Sequence, residues 1–405
     1  MKANIQETFE KGQGILQLVP IFVPRRFSAP GYRLKLHPDD YIALGTARGA
    51  IKERWFSSVI RCMNGPLAAE DEGLSYVLPA DAKADGKFTL LAAQEELKEK
   101  LVGKELMEEH GGWPMYSKFF DFGEPLFHHL HLKFEHAAKV GMLGKPESYF
   151  FPRQLNNHLG TFPATYFGFD PDTTKAQVKE RLARYTKGDT RITELSRAYR
   201  IELGTGWYTP PGVVHAPGSV LTYEPQWNSD VNSVYENITA GEINPPEFLV
   251  ENCPQDRKLD LDYVIELMDW EKNIDPHYRK HYWRPPVQTP ESEPARFSET
   301  WISYANDYFS AKELTVQPGE SVTIKDGAAY GCIVIQGHGT FGPYDTETAT
   351  MLRFGQTSAD EFFVSEDAAK AGVTVVNRSK HEPLVILKHF GPNHPDVPMS
   401  VPGTN

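Results

Sequence analysis

The sequence predicts a mostly β protein with helical insertions, and three observations carry that reading. Aromatic residues make up 12% of the 405 residues, and 31 prolines and 32 glycines supply turns, a profile that suits β layers better than a helical bundle. Short apolar–polar alternations bounded by turn residues recur along the chain, the pattern of strands with one buried face. A proline-rich polar stretch, RPPVQTPESEPARF at 284–297, reads as a linker. The length exceeds what one ordinary core covers, and the linker divides the chain into units of residues 1–285 and 286–405.

Taken in order, the first unit mixes classes. LHPDD at 36–40 reads as a helix start with proline in its first turn. KFTLLAAQEELKEKLVG takes on helical periodicity from about Ala92. YSKFFDF and LFHHLHLKF read as strands, EHAAKVGML as a helical insertion and ESYFFP as the next strand. TTKAQVKERLARYTKG has a threonine to cap its start and a glycine to stop it. YRIEL and SVLTYEP are further strands, and HYRKHYW at 277–283 reads as a solvated helix end. The second unit holds ELTVQPGESVTIKDG, CIVIQGHGTFGPY, VTVVNRS and PLVILKHF, regular short strands that suggest a sandwich or jelly roll.

Composition also excludes. The net charge is -12, with no basic excess to meet nucleic acid. No apolar run approaches the length of a membrane span, and the polar start lacks the apolar segment of a signal peptide. Cys62, Cys253 and Cys332 are odd in number and far apart. They read as reduced thiols of a cytoplasmic protein.

The chemistry concentrates in PLFHHLHLKFEH, residues 125–136. On a strand His129 and His131 share one face, and His128 and Leu130 share the other. Two imidazoles at i and i+2 can both reach one metal ion, and His215 and a glutamate are the further ligand candidates. For the glutamate, spacing leaves Glu135 and Glu147 both open.

Two spacings carry a resemblance. Gly123, five residues, His129, one residue and His131 resemble the opening of the first cupin motif. Gly204, five residues, Pro210, one residue, Gly212, two residues and His215 resemble the second. The blocks WPMYSKFFDFGEPLFHHLHLKFEHAAKVGMLGKPESYFF and SVLTYEPQWNSDVNSVYE, with ERWFSS near residue 55, resemble the type I phosphomannose isomerases over roughly residues 20–395. That resemblance implies two cupin barrels, the first bearing metal and elaborated by helices, the second smaller and metal-free. It implies His129, His131, Glu147 and His215 as metal ligands, and it selects Glu147 over Glu135 through the family's Gly-Lys-x-Glu. It further implies Lys145 and Glu224 as acid–base groups for an aldose–ketose isomerisation, and zinc as the metal, with manganese or iron also suiting such ligands. The implied partner is a small sugar or sugar phosphate. A homodimer paired through strand edges is compatible with the fold.

Three departures qualify the resemblance. His129 stands where the family has glutamine, which gives a three-histidine, one-carboxylate set as in oxygenating and decarboxylating cupins. Leu132 and Lys133 follow His131 where the family keeps a proline. Ser233 stands where the family has an active-site arginine, which puts the phosphosugar in doubt and leaves Lys133 and Arg153 as the nearby cations for a phosphate.

Overall fold

Alternating buried positions build four β layers. The computed structural model describes residues 2–80, 86–157, 160–258 and 260–403. A five-stranded antiparallel sheet holds His129–Leu130, Ala164–Phe169, Ser196–Arg200, His215–Ala216 and Ser233–Val234. It faces a seven-stranded sheet in which Glu147–Phe150, Thr222–Trp227, Met115–Phe120, Ala50–Phe56 and Ile21–Arg25 lie side by side in that order. Phe120, Tyr149 and Trp207 of the second sheet pack on Phe167 and Val234 of the first. The other face of the seven-stranded sheet, with Phe56, Phe119, Phe150 and Tyr223, packs on Ile302, Ile333, Val385 and Leu387 of a nine-stranded sheet. A four-stranded sheet closes the far side over Leu314, Cys332, Phe362 and Ile386. Burying apolar faces on both sides of the two central sheets forces their strands toward continuous apolar runs.

The chain does not change sheets only at the linker. Ile15–Val19 runs antiparallel to Glu361–Val364 and so sits inside the nine-stranded sheet. The proline-rich segment is tied at both ends: Trp283–Arg284 pairs with Gly206–Thr209, and Val287–Gln288 pairs with Phe297–Ser303.

Local chemistry sets the helices. Thr89 accepts a hydrogen bond from the Ala92 N–H at 3.1 Å, so the helix opens at Leu90 rather than Ala92. It breaks at Lys98, where φ is 48°, and resumes as Glu99–Val102 and Lys104–His110. Thr174 and Gln177 form a reciprocal capping box ahead of Lys175–Leu182. Pro38 opens the short 3-10 turn Pro38–Asp40, and Tyr278–Tyr282 is the helix end expected in HYRKHYW. Two strands differ from expectation in extent. YRIEL only completes Ser196–Arg200, and LFHHLHLKF keeps ladder pairing at His129–Leu130 alone, because its neighbours His215–Ala216 and Ser233–Val234 are themselves two residues long. Cys62, Cys253 and Cys332 are free and buried. Among the described residues no helix is long and apolar enough to cross a membrane.

Candidate metal centre and active site

The two inner faces of the first pair of sheets meet at the histidines. His129 lies directly across from His215 in the five-stranded sheet, with ring centroids 4.2 Å apart. Alternation carries His131 to the same side and sends His128 to the other, where its Nδ1 meets a Glu236 oxygen at 2.8 Å. Gly212 sets the entry to the His215 strand. It holds φ +85°, its N–H donates to the His131 carbonyl at 2.8 Å, and a Cβ there would meet the Asp269 nitrogen at 2.8 Å. Gly204, at φ +81°, lies against the Arg153 side chain. These are the glycines of the second spacing motif.

Each of the three rings donates Nδ1–H to a backbone carbonyl: His129 to Phe127 at 2.9 Å, His131 to Val231 at 2.7 Å and His215 to Val213 at 2.8 Å. That fixes the tautomer and leaves three Nε2 lone pairs converging. The group His129, His131 and His215 has ligand atoms within 4.8 Å of one another, all buried. Glu147, fully buried on the facing sheet, puts Oε2 2.9 Å from His131 Nε2 and Oε1 3.1 Å from His215 Nε2. With both histidine protons on Nδ1, these contacts set acceptor against acceptor, and neither His215 Nε2 nor Glu147 Oε1 has a hydrogen-bond partner. Protonating the rings does not relieve this. Burial, with the neighbouring imidazoles, holds His129 well below the usual range, and burial and Lys145 push His131 down to about 4 against the pull of Glu147. A divalent cation satisfies all four groups at once, and the donor set of three imidazoles and one carboxylate fits zinc, manganese or iron.

Beside this cluster the seven-stranded sheet carries charged side chains on successive strands. Lys145 Nζ lies 3.0 Å from Glu147 and 3.4 Å from Glu224. Lys118, paired in register with Glu224, reaches it at 3.3 Å and Glu53 at 3.7 Å. Arg25 bonds Glu53 at 3.0 Å and Asp230 at 2.9 Å. Their side chains are all largely covered, Asp230 being the one residue of intermediate burial, and they line one cavity with His129, His131 and Tyr149. Burial, with Glu147 nearby, pushes Glu224 up to about 8 despite Lys118 and Lys145. Burial also penalises the Glu147 carboxylate, but His131 and Lys145 outweigh it and hold that carboxyl well below its usual range.

The chain therefore brings together His129, His131, His215, Glu147, Lys145 and Glu224. Glu135 stays outside: it is exposed on the helix Phe134–Ala138 and pairs with Lys133 at 3.1 Å. Neither Lys133 nor Arg153, the cations named for a phosphate, lines the cavity. Ser233, at the position of the missing arginine, is buried and pairs in register with Leu130.

No family model matches the chain, and no curated protein matches it in sequence. Solved structures do match in shape. The mannose 6-phosphate isomerase of Bacillus subtilis superposes with a TM-score of 0.61 at 17% identity, covering 93% of this chain and 100% of that one. A variant of the Salmonella typhimurium phosphomannose isomerase gives 0.63 at 11% identity over 94% and 100%. A mannose 6-phosphate isomerase bound with zinc and yttrium gives 0.60 at 11% identity over 92% and 99%. The chain has the cupin fold of the phosphomannose isomerases. The sequence alone did not single out Arg25, Glu53, Lys118 and Asp230. For two of them a signal was present: Lys118 in YSKFFDF and Glu53, within the charged run Lys52–Arg54, lie in strands that also carry large apolar residues, and a buried sheet tolerates such charges only when they are paired.

Proposed function

We propose that the chain is a metal-dependent aldose–ketose isomerase acting on the open-chain form of a sugar. The observation that carries this is the convergence of three Nε2 lone pairs and the Glu147 carboxylate beside a buried Lys145–Glu224 pair, on the fold of mannose 6-phosphate isomerases. His129, His131, Glu147 and His215 would hold one divalent metal, zinc first. Once bound there, the metal would supply Lewis-acid polarisation of the carbonyl.

The chain's own residues supply the proton transfer. Isomerisation takes a proton from C2 and returns it at C1 through an enediol, while the O2 hydroxyl proton is passed to O1. Glu224 stands between Lys118 and Lys145 at 3.3 and 3.4 Å, placed in its ionised form to take that proton from C2 and return it to C1. The Lys145 ammonium is the nearest cation for the enediolate oxygen. The aromatic walls Phe120, Phe122, Phe127 and Tyr149 keep water from the exchanging proton.

Elemental analysis and an aldose-to-ketose assay test the proposal together. About one divalent metal per chain and turnover abolished by chelation are expected. In Glu224→Gln, metal content should stay unchanged while kcat falls by about 10²–10⁴-fold. Full activity in that variant would remove Glu224 from the chemistry. His129, where the related family has an amide, favours one second reading, an oxygenating or decarboxylating cupin. Oxygen uptake by the iron- or manganese-loaded protein, without sugar turnover, would select it.

A further inference from the structure

The pocket in front of the histidine cluster differs in character from the cluster itself. The inner cavity measures about 40 Å³ and the outer pocket about 190 Å³, and they share Arg25, Phe27, Phe127, Asp230 and Asn232. Whatever part of a sugar extends past its reacting carbons must lie in the outer pocket. Arg25, Arg26 and Arg48 line it, and unpaired arginines there would make a seat for a phosphate.

Two of the three are already engaged. Arg25 donates Nε–H and Nη2–H to the two Glu53 oxygens at 3.0 Å, Nη2–H to Asp230 at 2.9 Å and Nη1–H to Asn64 at 3.3 Å. Arg48 donates to the Glu72 carboxylate at 2.6 Å and to the Leu67 carbonyl at 2.8 Å. Asp230 also accepts the Met63 N–H at 2.9 Å, which anchors it against Arg25. Only Arg26 is exposed, and the exposed Glu251 shares its pocket. Arg25 and Arg48 are thus held by Glu53, Asp230 and Glu72, with Lys118 also reaching Glu53 at 3.7 Å. To bind a phosphate, Arg25 or Arg48 would have to abandon a buried carboxylate, which is strongly unfavourable. Hydroxyl groups require no such exchange. Asn64 is spent on Arg25, Pro24 and Glu72, but the Asn232 amide can both donate and accept and the Asn252 Oδ1 can accept, and the Phe27 and Phe127 rings, 4.9 Å apart, offer apolar faces to a carbon chain.

We infer that the sugar this site accepts is unphosphorylated, and that Asp230 is a specificity-determining residue that withholds Arg25 from a phosphate. The inference rests on the isomerase reading above.

Calorimetric titration of the zinc-loaded protein with mannitol and with mannitol 1-phosphate tests it, since both are unreactive open-chain stand-ins that differ in the terminal phosphate. Mannitol should bind at least about tenfold tighter, given the like charge a phosphate would meet. In Asp230→Asn, mannitol 1-phosphate should gain about tenfold as Arg25 is released. Tighter binding of mannitol 1-phosphate by the wild-type protein, lost in Arg26→Ala, would overturn the inference and leave the isomerase reading standing. Binding of neither polyol to protein that carries its metal would overturn both. Should Asp230→Asn fail to fold, the wild-type comparison decides alone.

Discussion

The His215 proton sits on Nδ1 because the Val213 carbonyl accepts it at 2.8 Å, and that one hydrogen bond turns the other nitrogen into a ligand. His128, next to His129 in sequence, spends its Nδ1 on Glu236 and faces away. The two residues therefore answer differently to the same truncation. His215→Ala should take bound metal from about one per chain to near zero, while His128→Ala should keep it, both read by elemental analysis after dialysis. Retained metal in His215→Ala would remove that residue from the ligand set. This distinction was legible in the sequence, since a period of two assigns His129 and His131 to one side and His128 to the other. The Arg25–Asp230 pair was not. Its members lie 205 residues apart, and no local pattern announces a partner that only the folded sheet brings close.

At the scale of elements, the site depends on how short strands are aimed. His129–Leu130 and His215–Ala216 have two residues each, too few to fix their own direction, so the turns around them do it. Gly212 is the point of leverage. Gly212→Ala should destabilise the protein by about 1–2 kcal/mol from the left-handed φ alone, with more from the Asp269 approach, and should weaken metal binding as His215 shifts. Thermal unfolding and metal titration on the same sample check both, and an unchanged metal affinity would show that His215 is aimed from elsewhere. The longer strands were readable because alternation persists over them: Glu147 and Tyr149 point into the cavity while Ser148 and Phe150 face the nine-stranded sheet. Extents were less readable, as in LFHHLHLKF, because ladder length is set by the neighbouring strand.

At the scale of the whole molecule, the central sheets are joined by charge as well as by apolar packing. Arg54, on the seven-stranded sheet, donates to both Asp360 oxygens at 2.8 and 2.9 Å and to Glu361 at 3.2 Å on the nine-stranded side. Arg54→Ala strands two buried carboxylates and should cost about 3–5 kcal/mol in denaturant unfolding. Glu361 adds a pH signature. Burial, with Asp360 beside it, raises its carboxyl from 4.5 to about 8 against the effect of Arg54. A raised native value means the stabilisation is full below 4.5 and is lost as pH climbs through about 8. Wild type should therefore lose stability relative to Glu361→Gln as pH rises from about 4.5 to about 8 and lose no more above it, and parallel curves across that interval would refute that assignment. The strand Ile15–Val19 has a further consequence, for the order of events during synthesis. It is made long before its partner Glu361–Val364. One edge of this strand can pair early, with Tyr76–Val77, but the other stays open until Glu361–Val364 is made, so the nine-stranded sheet closes late.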